Sequence, residues 1–327
     1  MAVAPVPPVA YDATAVRPDW GDLPEPLRTA IDQRLGAPVR AAGSAGGGFT
    51  RGFASLLETS TGDRVFVKTA SLRTQPHLCD WYAREAAVLA ALPSGLPATR
   101  ARWTMTAAGH FVSCLDAVPG RMPALPWRPA ELDATLTAYA KICAALAEPP
   151  AELVGLGLPR LADLARDDLS CWREVAAGSE PMPAVPAGIP ARLADLVRLE
   201  SLLPGYAESA GLIHCDLRLD NVLIDPDGAA WICDWNWLCH GPAWFDLAGL
   251  LLIGYPAGLD VDGRFAAHPG ARGAPPDALD AALAALSGYL LTSAEAGPSG
   301  ASPAIRGHQR WTGELALAWL SERQGWG

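Results

Sequence analysis

The stretch Gly211–Ile224, GLIHCDLRLDNVLI, sets two apolar, strand-like runs around a polar turn that carries His214, Asp216 and Asn221 in the spacing H-x-D-x-x-x-x-N. Asp234 follows thirteen residues after Asn221, at the end of another short apolar run, Ala230–Cys233. These residue types suit one chemistry. An Asn carbonyl and an Asp carboxylate are oxygen ligands for a hard cation such as Mg2+. A carboxylate within hydrogen-bond reach of an acceptor hydroxyl can orient it and take its proton. The alternative, that these are ordinary turn residues capping a hairpin, accounts for any one of them but poorly for the combination.

Moving outward, residues 1–22 are proline-rich without periodicity and predict an extended arm. Leu27, Ile31 and Leu35 recur at i, i+4, i+8 and predict a short helix over 23–35. The period then changes to strands at 39–45 and 52–59, separated by Gly46-Gly47-Gly48-Phe49-Thr50-Arg51. A Ser-Thr-Gly-Asp turn leads into Arg64–Thr69, RVFVKT, which alternates as a half-buried strand. A helix over 81–92 and strands at 102–105 and 110–115 complete a small α+β unit ending near Asp116. Beyond the Pro119-Gly120 break the pattern is mainly helical, at 129–147, 159–177, 189–209, 243–254, 277–294 and 302–324, with a β-rich island at 211–234. The fold class is therefore α+β and bilobal: a small N-terminal five-stranded antiparallel sheet with one helix, then a large, mainly helical C-terminal lobe. The expected divisions are 1–35 (arm and helix), 36–116 (small lobe) and 117–327 (helical lobe).

Composition narrows the classes. Half of the 327 residues are apolar and 18% are charged, so a buried core is within reach and wholesale disorder is excluded. A net charge of −10 argues against nucleic acid as a partner. No uncharged apolar run reaches the roughly 18–20 residues of a membrane span, and the N-terminus lacks the basic and apolar regions of a secretory signal. The 7 cysteines are scattered with no C-x-x-C pair, which suggests neither a disulfide framework nor a zinc site. The expectation is a reduced, cytoplasmic protein, monomer or dimer. Lys68 and Lys141 are the only lysines, so a lysine ending the VFVK strand is a pointed placement.

The set Asp216, Asn221 and Asp234 is the pattern by which protein kinases build a phosphoryl-transfer site. More closely, the sequence resembles the aminoglycoside phosphotransferase family, the antibiotic and metabolite kinases that share the protein-kinase fold. The resemblance is carried by GGGFTRGFASLLE, VFVK, REAAVL, HCDLRLDNVLI and ICDWNWLCHGPAWFDLAGLL, from about Gly46 to Leu251. It implies ATP (or GTP) and Mg2+ as cofactors and a small hydroxylated molecule as acceptor, an aminoglycoside first among candidates. Other antibiotics such as macrolides, amino sugars, choline- or homoserine-like metabolites and an idle nucleotide-binding module are the alternatives. Asp216 would be the catalytic base, with Arg218 and His214 as the other catalytic residues. Asn221 and Asp234 would be the metal ligands. Lys68, paired with Glu85 on the next helix, would position the nucleotide phosphates under the loop of Gly47, Gly48 and Thr50. Phe111–Asp116, with Ser113 and Leu115, would be the hinge holding the purine. Arg218 stands where many kinases carry a lysine that steadies the transferring phosphoryl group, or else pairs with Asp220 or Asp246. Cys215 departs from a frequent glycine of the family, and Trp235-Asn236 from the Phe-Gly pair of kinases. Only eleven residues separate Asp234 from Asp246, too few for a peptide-docking activation segment, so acceptors should be small.

The negative excess lies beyond Pro119, where 25 acids face 14 bases. Asp163, Asp167, Asp168, Asp195, Glu200, Glu314 and Glu322 are candidates for attracting a polycation, or ordinary helix surface. Asp167 and Asp168 near Trp172 suggest an amine-binding patch. Arg306 and Arg310 point the other way, toward an anionic or sugar acceptor.

Overall fold

The structure, a computed structural model, describes residues 9–297 and 300–326. Helix α1 (Glu25–Leu35) opens on proline, whose fixed φ suits a first turn, and stops at Gly36 in the left-handed conformation. Strands β1 (Val39–Ser44), β2 (Phe53–Thr59) and β3 (Arg64–Ser71) form a meander. Helix α2 (Pro76–Ala91) then leads to the hairpin of β4 (Ala101–Ala107) and β5 (His110–Asp116). The sheet order is β1-β2-β3-β5-β4, antiparallel throughout, so β3 and β5 are its central strands.

Alternation along β3 decides what meets what. Val65 and Val67 face the core shared with Leu23, Leu27 and Ile31, which α1 and the residues before it bring to one side of the sheet. Lys68 is out of phase with them and faces α2 on the other side, where Glu85 lies buried.

The large lobe runs through α3 (Pro129–Leu146), α4 (Ala151–Val154), α5 (Leu161–Asp167), α6 (Cys171–Ala177), α7 (Leu193–Glu200) and α8 (Leu203–Tyr206). Strand β6 (Leu212–Ile213) pairs with β9 (Cys239–His240), and β7 (Val222–Ile224) with β8 (Ala230–Ile232). Helices α9 (Ala243–Leu251), α10 (Val261–Ala267), α11 (Ala278–Glu295) and α12 (Ala304–Arg323) close the chain. Helix α11 is buried along most of its length, which its run of alanine and leucine permits.

Three expectations need correction. The single helix over 159–177 is two, α5 and α6, broken at Asp168–Ser170. Both Glu200 carboxylate oxygens accept backbone N–H bonds there, from Trp172 and Arg173 at 2.9 Å each. The helix over 189–209 also breaks, between α7 and α8. Helix α10 is an addition; it is short, contains a glycine and is marked by Asp260, whose side chain accepts the Gly263 N–H. Of the extended arm expected over 1–22, residues 1–8 lie outside the described residues, and the described part packs onto the fold, with Tyr11 buried against Phe49, His308 and Trp311. All seven cysteines are free thiols. No helix among the described residues is long and apolar enough to cross a membrane.

Candidate active site

After β6 the chain makes a tight turn held from below. Asp246, in the first turn of α9, accepts the backbone N–H groups of His214 (2.7 Å) and Cys215 (2.8 Å). Tyr139 of α3 donates to the same carboxylate at 3.1 Å. Burial raises the Asp246 carboxyl above its ordinary range, while His214 and these donors oppose the rise. His214 is fully buried, its ring nitrogen 2.8 Å from the Cys233 carbonyl oxygen, and burial lowers its pKa. It is a strut between the two small sheets, out of reach of any substrate. Cys215 has φ +65°, a left-handed conformation that costs an L-residue roughly 1–2 kcal/mol and glycine almost nothing. The frequent glycine of the family therefore has a backbone reason here, and cysteine meets it under strain.

Asp216 leaves the turn with its side chain partly open. Asn221 donates its Nδ2 to the Asp216 carbonyl (2.8 Å) and carboxylate (3.2 Å), so its Oδ1 is left without a donor among the described residues. Burial raises the Asp216 carboxyl, and Arg218, 3.6 Å away, pulls it back. Arg218 pairs with buried Asp220 at 2.8 Å and stacks over Phe49 of the glycine loop, 5.1 Å from the ring centre.

Across the cleft, Lys68 bonds both Glu85 (2.8 Å) and Asp234 (2.9 Å). One ammonium from β3 thus ties α2 to Asp234, two residues beyond β8. Burial would raise the Asp234 carboxyl, but Lys68 outweighs it and holds the group below its ordinary range, ionised and with Oδ2 uncommitted. Asp234 itself sits at φ +64°, which aims its side chain back at the lysine. Asn221 and Asp234 are the right donors for a hard cation. Among the described residues no three His, Cys, Asp or Glu side chains gather into a metal cage.

Between the lobes lies a cavity of about 580 Å³. Gly48, Thr50, Asp168, Asp216, Arg218 and Asp234 line it. Lys68, Glu85 and Asn221 stand directly behind that wall through the bonds just given. Gly47 is turned away, its carbonyl accepting from Arg17 at 3.0 Å. Ser113 and Leu115 are buried inside β5, with Ser113 opposite Lys68, so Phe111–Asp116 is a central strand and not a hinge. Trp172 has no exposed surface; its indole N–H donates to the Ala284 carbonyl at 2.9 Å, and it cannot offer a face to an amine. Asp167 is exposed and outside the cavity, and Arg310 pairs with Glu295 and the Ala184 carbonyl. Most of the acidic excess also lies elsewhere: Asp163 and Asp195 pair with Arg166 and Arg192, Glu200 caps α6, and Glu322 accepts from Tyr255. The rest of the wall is mostly apolar, with Leu161, Leu164, Leu252, Ile253, Leu286 and Tyr289 prominent beside the polar Arg17, Asn236, Asp246, His308, Gln309 and Thr312. Sequence reasoning missed that wall, because these residues come from α5, the turn after α9 and α11, with no shared motif.

Comparison with known proteins adds the kinship. Residues 48–285 match the family described as the phosphotransferase enzyme family, APH. No curated protein matches the sequence. Among solved structures the fold is similar to a thermostable mutant of the aminoglycoside phosphotransferase APH(4)-Ia in ternary complex with ADP and hygromycin B. The TM-score is 0.59 at 16% identity, over 92% of this chain and 99% of that one. It is also similar to the macrolide 2'-phosphotransferase MphH from Brachybacterium faecium, with a TM-score of 0.53 at 17% identity, over 88% and 96% of the two chains. The choline kinase LicA from Streptococcus pneumoniae matches at 0.51 and 15% identity, over 90% and 99%. At such identities the likeness speaks for the bilobal, protein-kinase-like fold alone. The family match, spanning most of the chain, goes further: this protein belongs to the phosphotransferase enzyme family and is a small-molecule kinase.

Proposed function

We propose that the protein transfers the γ-phosphate of ATP, as its Mg2+ complex, to a hydroxyl of a small molecule. The observation that carries this reading is Lys68 bonded at once to Glu85 and Asp234, opposite Asp216 and Asn221. The ADP in the ternary complex of the similar aminoglycoside phosphotransferase supports the nucleotide. In this reading residues 36–116 grip the nucleotide, with α1 bracing their sheet, and 117–327 supply the reactive turn and the acceptor pocket.

Asp216 accepts the hydrogen bond of the attacking hydroxyl and receives its proton. Asn221 fixes the Asp216 carboxylate in one orientation. Lys68 positions phosphate oxygens, and Arg218 offsets the charge that builds on the transferring group. When bound between Asn221 and Asp234, Mg2+ would supply further charge neutralisation on the phosphates. Catalysis is then mainly positioning and electrostatics.

For the acceptor, the cavity wall favours a different emphasis from the charge count. One carboxylate outside the phosphoryl-transfer set and its Asp246 support, Asp168, faces a largely apolar enclosure. A polycationic aminoglycoside would want several. The wall suits a hydroxylated molecule with an extended apolar body and at most one amine, as a macrolide has. Aminoglycosides, amino sugars and choline-like alcohols remain the comparison compounds.

The test is nucleotide consumption with a panel of macrolides, aminoglycosides, amino sugars and amino alcohols, beside the Asp216→Asn variant. Turnover with an apolar-bodied acceptor, reduced about 10²–10⁴-fold in the variant, is expected. Turnover only with polyamines would overturn the acceptor reading and keep the kinase. Equal turnover by the variant would remove Asp216 from its role.

A further inference from the structure

Three cations stand at the cleft, and two of them are satisfied by carboxylates: Lys68 by Glu85 and Asp234, Arg218 by Asp220 and Asp216. The third is Arg17. It arrives from the segment before α1, lines the cavity beside Gly48, Phe49 and Thr50, and donates Nη2 to the Gly47 carbonyl at 3.0 Å. No ion pair of Arg17 exists among the described residues, and its buried Nε has no hydrogen-bond partner. A guanidinium sunk beside a cleft without an anion is unfavourable, because desolvation is uncompensated. Burial accordingly lowers its pKa, with Tyr82 and Asp234 opposing.

The loop around it is shaped to keep it there. Residues 12–17 lie along Gly46–Gly48: Ala15 N–H donates to the Gly46 carbonyl at 2.9 Å and Thr14 Oγ1 to the Gly48 carbonyl at 3.1 Å. A Cβ on Gly46 would fall 1.9 Å from the Asp12 carbonyl oxygen, and one on Gly48 would fall 2.6 Å from Arg17 Nη2. The glycines thus make room for this segment, with their carbonyls turned to it. Arg17 also lies outside the stretch that matches the family, 48–285.

We propose that Arg17 is a phosphate-binding residue of this enzyme, reaching the nucleotide's phosphate chain from beside the glycine loop. The proposal rests on the nucleotide reading above and adds a contact from outside the family stretch. Its chemistry is that of a planar guanidinium whose spare N–H groups match phosphate oxygens.

The test compares binding of ATP and of adenosine to the wild type, Arg17→Gln and Arg17→Lys. A charge-assisted bond to phosphate predicts that Arg17→Gln weakens ATP about tenfold or more and leaves adenosine unchanged, with Arg17→Lys recovering part of the loss. An unchanged ATP affinity in Arg17→Gln, or equal losses for ATP and adenosine, overturns the proposal and leaves Arg17 a strap on Gly47. If Arg17→Gln does not fold, Arg17→Lys decides alone, since a single ammonium in place of the fork should still cost ATP and spare adenosine. Failure of the wild type to bind ATP is a different result, which defeats the nucleotide reading itself.

Discussion

At the scale of single residues, Arg218 connects charge to reactivity. Its guanidinium opposes the upward push that burial gives Asp216. In the proposed reaction Asp216 must be ionised to accept a proton, so the acid limb of the rate profile should follow it and lie above an ordinary aspartate's range. Removing the positive charge raises that carboxyl further. Arg218→Gln should therefore move the acid limb of kcat/KM to higher pH, on top of a fall in kcat of about 10²–10³-fold from lost charge stabilisation. A pH–rate profile of the two proteins checks it; a limb that stays or moves to lower pH counts against the pairing. Stability should fall too, since Asp220 loses its ion-pair partner in a buried place. The polar members of this site were legible because Asp216, Asn221 and Asp234 occupy one short stretch on either side of the β7–β8 hairpin. Arg17 was not legible. It sits in a proline-rich segment without periodicity, and only the folded chain brings it to the glycines thirty residues on.

At the scale of elements, the strands and long helices were readable where one face is buried, as in β3 or α3. Breaks were not, because their causes are distant. The split between α5 and α6 depends on Glu200, from α7, accepting the Trp172 and Arg173 N–H groups, and on Trp172 being fully packed beneath α11. A hydrophobic period sees tryptophan and two aspartates; it does not see a carboxylate arriving from 28 residues away. Glu200→Ala should cost about 1–3 kcal/mol by orphaning these donors. The cost should depend on pH. Burial lifts the Glu200 carboxyl to about 7 despite its donors, against an ordinary 4.5. A value raised on folding means that the group's contribution is fully present below about pH 4.5 and is lost as pH rises through 7. Thermal melts should thus show a wider gap between wild type and Glu200→Ala at pH 5 than at pH 8. A gap that widens toward alkaline pH would mean that the ionised carboxylate is the better cap.

At the scale of the whole molecule, the two lobes are joined by more than the strand that leaves β5. Tyr11 packs edge-on against Phe49 of the glycine loop and bonds His308 of α12 at 2.6 Å. Ser302, just before α12, donates its backbone N–H to the Phe49 carbonyl at 2.7 Å. Burial, with Arg218 adding to it, holds His308 well below its usual range, so the ring is neutral and Nδ1 can accept the tyrosine proton. Burial likewise keeps the Tyr11 phenol protonated. One proton therefore serves both groups, and the seam runs from the glycine loop to α12 without a charge of its own. Tyr11→Phe preserves the ring contacts and removes only the hydroxyl, leaving Nδ1 buried without a donor, at a cost of about 1–3 kcal/mol. Because Tyr11 touches the loop and α12 together, the loss should surface in both. Hydrogen exchange should quicken over Gly46–Thr50 and the first turns of α12 in the variant, while the β3–β5 ladder around Lys68 keeps its protection. Exchange that quickened in α12 alone would mean that the segment anchors to the large lobe without steadying the loop, and Arg17 would then have to hold the glycines through its own bond to Gly47.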